Sequence, residues 1–140
     1  MLTFKAVIEN IVEVIRTTFQ TRDFTPMVDL FTNDGVYETP YAFENARVEG
    51  IEAIRKRFAQ VSTSAWNKAV KIDSVNVKAT PALDGATVFA QFTITGTRIG
   101  GNVPFDFPSS VAIIRTQNDR IVHYQDYPNV AGIRNAAGLD

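Results

Sequence analysis

The stretch Asp119–Asn129, DRIVHYQDYPN, is where the reading of the chain begins. An Asn118-Asp119 turn opens a run in which β-branched and aromatic residues alternate with polar ones, the pattern of a half-buried strand. A period of two places Val122, Tyr124 and Asp126 on one face and Ile121, His123, Gln125 and Tyr127 on the other. If the first face lines a cavity, Asp126 stands at its floor, flanked by tyrosines.

Upstream of this run, Val70 to Val77, Thr87 to Thr95 and Phe105 to Arg115 read as further strands, separated by a Pro81/Gly85 turn and a Gly100-Gly101-Asn102 turn. Consecutive strands with short turns imply a curved, mainly antiparallel sheet. Along Thr87 to Thr95, Phe89, Gln91, Thr93 and Thr95 point one way and Val88, Ala90, Phe92 and Ile94 the other. In one reading the aliphatic face is the core and the Gln/Thr face meets water. In the other the Gln/Thr face lines a semi-polar cavity and the aliphatic face is covered by a second subunit.

Helices precede the strands. Phe4, Val7, Ile8, Ile11, Val12, Val14, Ile15 and Phe19 recur at spacings of three and four, which predicts a long amphipathic helix. Thr25-Pro26 starts a short second helix with Met27, Leu30 and Phe31 on one stripe, and Asn33-Asp34-Gly35 is expected to stop it. Val36 to Thr39 reads as a short strand broken by Pro40, and a loop holding Tyr41, Phe43, Glu44 and Arg47 runs to Gly50. Ile51, Ile54 and Phe58 mark a third helix that ends at Ser62-Thr63-Ser64, with Glu52, Arg55, Lys56 and Arg57 on its wet face. The tail after Pro128 is only loosely patterned. Helices followed by a meander give the α+β class, a cone-shaped roll of three N-terminal helices on a strongly curved sheet.

With 140 residues, 45% of them hydrophobic, and no linker, the chain reads as one domain spanning 1–140. A net charge of -1 offers no field for a polyanion or an anionic membrane, so no nucleic-acid or membrane partner is expected. The chain has no cysteine, which removes disulfide, thiolate and zinc-thiolate chemistry and suits a reducing compartment. Lys5, Glu9, Glu13 and Arg16 interrupt the apolar pattern of the N-terminus, which therefore fits neither a signal peptide nor a membrane span and predicts a cytoplasmic location. One histidine and scattered acids make no ligand set, so neither a metal nor a cofactor is expected.

Three stretches together carry a family likeness: Leu30-Phe31-Thr32-Asn33-Asp34-Gly35-Val36-Tyr37-Glu38-Thr39-Pro40, then Val48-Glu49-Gly50 leading into Ile51 to Phe58, then Arg120-Ile121-Val122 through Asp126-Tyr127. In order, spacing and total length the chain resembles the nuclear transport factor 2-like superfamily, and within it the SnoaL-like polyketide cyclases, limonene epoxide hydrolases and ketosteroid isomerases. The resemblance implies three helices on a bent sheet, a ligand cavity between them, and often a homodimer across the outer sheet face. It favours the cavity reading of Gln91 and Thr93. An aspartate at the end of the last strand is the acid/base of SnoaL-like cyclases and part of the water-activating group of the hydrolases, and Asp126 matches it. Tyr37 matches the hydrolases' tyrosine, but Thr39 stands in place of their asparagine. Their Arg-x-Asp pair falls on Gln91 and Thr93 or on Thr93 and Thr95, which cannot supply an acid and a base. The isomerases' base falls on Thr39 and their phenol near Ile15, so neither chemistry is expected.

Asp126 and Tyr37 are thus the expected catalytic residues, with Tyr124, Gln91, Thr93, Thr39, Phe43, Trp66 and Phe89 expected around the substrate. Each has a plainer reading: Asp126 as a solvated strand end, and the aromatic residues as packing. His123, opposite Asp126, is expected at an interface or surface, and Asp106 in solvent. Two functions follow. One is cofactor-free isomerisation, cyclisation or dehydration of a small, largely apolar, oxygenated metabolite. The other is non-catalytic binding of a hydrophobic ligand, or service as a dimeric accessory domain.

Overall fold

The computed structural model describes residues 2–42 and 46–139. Helix α1 spans Phe4–Thr21. Thr3 caps it by accepting a hydrogen bond from the Ala6 amide at 3.1 Å, and Val7, Ile11, Ile15 and Thr18 form its buried stripe. A 3-10 helix, Thr25–Leu30, has Pro26 in its first turn. It runs directly into strand β1, Phe31–Thr39, so Asn33-Asp34-Gly35 lies inside a strand and not in the expected stop. The reason is local: the pairing of β1 shifts register between Phe31 and Val36, and the polar triplet occupies that irregular stretch.

Strand β2, Ala46–Glu49, follows, and then α2, Ile51–Ser62, and α3, Ala65–Ala69. The four long strands are β3 (Val70–Pro81), β4 (Thr87–Arg98), β5 (Val103–Gln117) and β6 (Arg120–Pro128). The loosely patterned tail forms a helix, α4, Val130–Ala137, capped by Asn129 at its start and by Gly138 (φ 71°) at its end. Arg98 fastens α4 by donating to the Ala136 and Asn135 carbonyls at 3.0 and 2.8 Å. Among the described residues no helix is long and apolar enough to cross a membrane.

The strands form one sheet in the order β2-β1-β6-β5-β4-β3, antiparallel except for the β1/β6 pair. One extra residue interrupts each of three ladders: Asp73 in β3, Ser109 in β5 and Val122 in β6. Such bulges bend a strand and sharpen its twist, which curves the sheet around the helices.

Curvature assigns the two faces of β4. Val88, Ala90, Phe92 and Ile94 are buried on the concave side, and Phe92 packs on Phe19 of α1 with ring centroids 6.2 Å apart. The chain's own helices cover the aliphatic face. Gln91 is therefore exposed on the convex side, Thr93 is half-exposed there, and Phe89 retains 42% of its surface. These three do not line the cavity, contrary to the expectation. The bulge at Val122 also breaks the alternation expected in β6: Ile121 and Tyr124, three apart, are both buried, and Val122 no longer shares a face with Tyr124 and Asp126.

Candidate functional site

Between the concave side of the sheet and the helical layer lies a cavity of about 200 Å³. Phe19, Phe24, Met27, Phe58, Val61 and Ile133 give it apolar walls, Ile133 coming from α4. Set into those walls are Tyr37, Thr39, Arg57, Trp66, Ser109, Ser110, Tyr124 and Asp126.

The parallel β1/β6 ladder brings the central group together. Tyr37 stands beside Tyr124 in register, with ring centroids 5.4 Å apart, and Asp126 projects two residues further along the same strand. The Tyr37 hydroxyl donates to Asp126 Oδ2 at 2.7 Å. Across to β5 the partner of Asp126 is Ala112, a small, fully buried residue. Phe58 holds the Tyr37 ring from the helical side, edge-on at 5.1 Å.

Electrostatics follow from this enclosure. Asp126 is half-buried and lines the cavity among largely apolar walls, so its charge is poorly solvated. Burial pushes its carboxyl up to about 6; the Tyr37 hydrogen bond and the charge of Arg57 act in the opposite direction and are outweighed. Burial first, and the nearby Asp126 charge second, hold the Tyr37 and Tyr124 phenols well above their ordinary value. Both phenols are therefore neutral donors at physiological pH. A carboxyl poised near 6 exchanges a proton close to neutrality, which is the property a general acid/base needs.

Three polar atoms in the wall find no hydrogen-bond partner among the described residues: Thr39 Oγ1, Arg57 Nε and Trp66 Nε1. Buried polar groups are paired as a rule, and leaving one unpaired costs about 1–3 kcal/mol. The helical pattern of the sequence puts Arg57 on the wet face of α2. Instead, while Glu52, Arg55 and Lys56 are exposed, Arg57 sits half-buried one turn before Val61, at the edge of the apolar stripe. Its position relative to Val61 is the signal that could have revealed it.

Ser109 and Ser110 were also missed. Ser109 is the extra residue of the β5 bulge, and no periodicity rule marks such a position. Of the expected substrate neighbours, Tyr124, Thr39 and Trp66 line the cavity, Gln91, Thr93 and Phe89 face outward, and Phe43 lies outside the described residues. Phe105 and Phe107 pack against each other at 5.8 Å, away from the cavity lining, and Asp106 is exposed. His123 is on the opposite side of β6 from Asp126, with its Nε2 2.8 Å from Glu38 Oε1. Gln125 and Arg47 donate to the same Glu38 carboxylate. Burial opposes the Glu38 charge, but the hydrogen bonds from His123, Gln125 and Arg47 prevail and lower its pKa. Among the described residues no three His, Asp or Glu side chains are grouped to hold a metal ion.

Residues 11–124 match the SnoaL-like domain. The chain belongs to the SnoaL-like domain family. The matched span ends two residues before Asp126, so the match does not extend to this acid. Uncharacterized protein YesE of Bacillus subtilis strain 168 is 29% identical to this SnoaL-like chain over 120 residues, covering 84% of the chain and 78% of YesE. A candidate isomerase of Bacillus subtilis, known from its crystal structure, superposes with a TM-score of 0.77 at 24% identity over 99% of this chain and 98% of its own. A candidate polyketide cyclase of Xanthomonas campestris pv. campestris superposes with a TM-score of 0.67 at 14% identity over 96% of this chain and 99% of its own. At these identities the structural likeness establishes the fold, a SnoaL-like α+β roll, and the reaction must be argued from the site.

Proposed function

We propose that this SnoaL-like protein, as one domain spanning 1–140, catalyses cofactor-free proton transfer on a small oxygenated metabolite, in an isomerisation, cyclisation or dehydration. The observation that carries the proposal is the 2.7 Å Tyr37–Asp126 hydrogen bond at the edge of an otherwise largely apolar cavity, on a carboxyl whose pKa is about 6. Ionised Asp126 removes a proton from the carbon next to a substrate carbonyl. The bonding pair moves into the carbonyl group and its oxygen takes the negative charge, stabilised by a neutral phenol. The protonated carboxyl then returns the proton to another carbon (isomerisation), to the oxygen of a second carbonyl that the carbanion attacks within the same molecule (cyclisation), or to a β-hydroxyl that leaves as water (dehydration). Tyr37 keeps the carboxyl oriented in both states.

Cavity size supports a small substrate. An apolar cavity of roughly 150 Å³ holds one benzene molecule, so about 200 Å³ suits one ring with short substituents. Deuterium uptake from heavy water at the α-carbon of monocyclic ketones, enones and β-keto acids, followed by NMR, tests the proposal. Exchange by the wild type that is lost in Asp126→Asn is the expected result. Thermal stabilisation by these compounds without exchange would instead identify a ligand-binding protein, the reading that fits a cavity wall with one carboxylate, Asp126, among the described residues.

A homodimer through the outer sheet face and a cytoplasmic setting belong to the same proposal. On that face Phe89 and Val111, each 42% exposed, lie on adjacent strands, next to Tyr127, which packs edge-on against Tyr41 at 4.8 Å. Val111→Glu places a charge in the middle of this surface. Sedimentation velocity is expected to show a dimer for the wild type and a monomer with unchanged circular dichroism for the variant.

A further inference from the structure

We infer that Arg57 and Trp66 form a carboxylate-binding subsite, and that the substrate is a small carboxylic acid whose enolisable carbonyl faces Asp126. This rests on the proton-transfer reading of the same cavity and adds the chemical class of the molecule that enters it.

Four observations converge. Arg57 is in no ion pair among the described residues, although Arg47 and Arg55 both find carboxylates. Its charge nevertheless reaches Asp126, whose pKa it lowers without direct contact. Both residues line the same cavity, and among the described residues no ion pair or hydrogen bond joins them. Two N–H groups, Arg57 Nε and Trp66 Nε1, find no acceptor among the described residues, and Thr39 Oγ1 is likewise unpaired. A guanidinium is donor-only and planar, and an indole N–H is donor-only, so the complement of this pair is an acceptor-only, preferably anionic, group. A carboxylate satisfies both donors with its two oxygens, as arginine forks commonly do.

Position decides which end of the substrate goes where. Asp126 repels an anion when ionised, so a substrate carboxylate is driven to the Arg57 side, on α2. The rest of the molecule then lies toward Tyr37, Tyr124 and Asp126 on the strands. The apolar walls from Phe24, Phe58 and Val61 take the intervening carbons. A single subsite at one end of a cavity of about 200 Å³ fixes orientation as well as class. A neutral hydrocarbon ligand would leave both donors unpaired.

Benzoate, with benzamide as its neutral isostere, is the probe, titrated at pH about 7.5 by calorimetry into wild type, Arg57→Gln, Trp66→Phe and Asp126→Asn. Benzoate is expected to bind the wild type more tightly than benzamide. Arg57→Gln is expected to weaken benzoate by about tenfold or more, the effect of one charged hydrogen bond, and to change benzamide less than about twofold. Trp66→Phe keeps an aromatic ring in place and removes the N–H; a severalfold loss for benzoate alone is expected, and this variant carries the test if Arg57→Gln does not fold. Benzoate bound equally well by wild type and by folded variants, or benzamide bound as tightly as benzoate, overturns the subsite. Asp126→Asn separates the two claims. It is expected to bind benzoate at least as tightly as wild type while losing α-carbon exchange, so exchange that survives the substitution refutes the acid/base role and leaves the subsite to be judged on the binding data.

Discussion

Asp126→Asn is expected to lower turnover by about 10²–10⁴-fold, the range contributed by a positioned acid/base. The asparagine keeps the shape and can still accept the Tyr37 hydrogen bond seen at 2.7 Å, so the loss reports proton transfer and not collapse of the site. In the wild type, kcat/KM is expected to rise with pH through about 6 as the carboxyl ionises, and that limb disappears in the variant. Stability moves the other way. The folded chain holds this proton with a pKa of about 6 against an ordinary 3.8, so between these values the native state carries more protons than the unfolded one. Rising pH therefore costs stability across that window, by up to about 3 kcal/mol for a shift of roughly two units. The asparagine variant escapes this cost. Urea unfolding at pH about 4 and about 7.5 is expected to show a smaller difference for Asp126→Asn than for wild type, and a variant that is less active yet more stable at the higher pH. An unchanged pH slope would refute the desolvation of Asp126.

Gly96→Ala is expected to lose about 3 kcal/mol or more, which for a chain of this size is a fall of roughly 10 °C in Tm. A methyl group at Gly96 would run into the Lys71 carbonyl oxygen, lie 2.8 Å from Phe105 Cζ and 3.1 Å from Ile72 Cα. Two of these three contacts are backbone and cannot rotate away. The site is where β4 meets β3 beside the Asp73 bulge, with Gly96 opposite Ile72, so relieving the clash means displacing β3. Gly100→Ala is the control: a methyl group there meets nothing within 4 Å, and a change within about 0.5 kcal/mol is expected. Thermal unfolding of the two variants side by side measures the difference. Equal Tm values would mean that the close approach of β3 to β4 adds nothing to the fold.

The candidate site was legible in part. Asp126 and Tyr37 stand out in the sequence because the family likeness marks both positions, whereas alternation only divides their strands into two faces. Arg57 does not, because it lies at the margin of its helix's apolar stripe, where a charged residue reads as solvent-facing. Only the packing of α2 against the sheet, with Val61 and Phe58 on the same wall, turns its guanidinium inward. Ser109 was hidden for a different reason: bulge formation depends on what the neighbouring strand does, and nothing in the local pattern of β5 announces it.

By itself the sequence determined the amphipathic first helix, the succession of four long strands, the α+β class and the placement of one acid at the end of the last strand, all of which follow from hydrophobic period over short distances. The tertiary structure decided which face of β4 is inside. Alternation divides Gln91 and Thr93 from Val88, Ala90, Phe92 and Ile94 but is symmetric between the two sides, and only the burial of the aliphatic set beneath the helices breaks that symmetry. It decided as well that the C-terminal tail folds into a helix over the cavity. That helix has few large apolar residues of its own, and it is held by Arg98 from β4, a contact 38 residues away in sequence that no local pattern encodes.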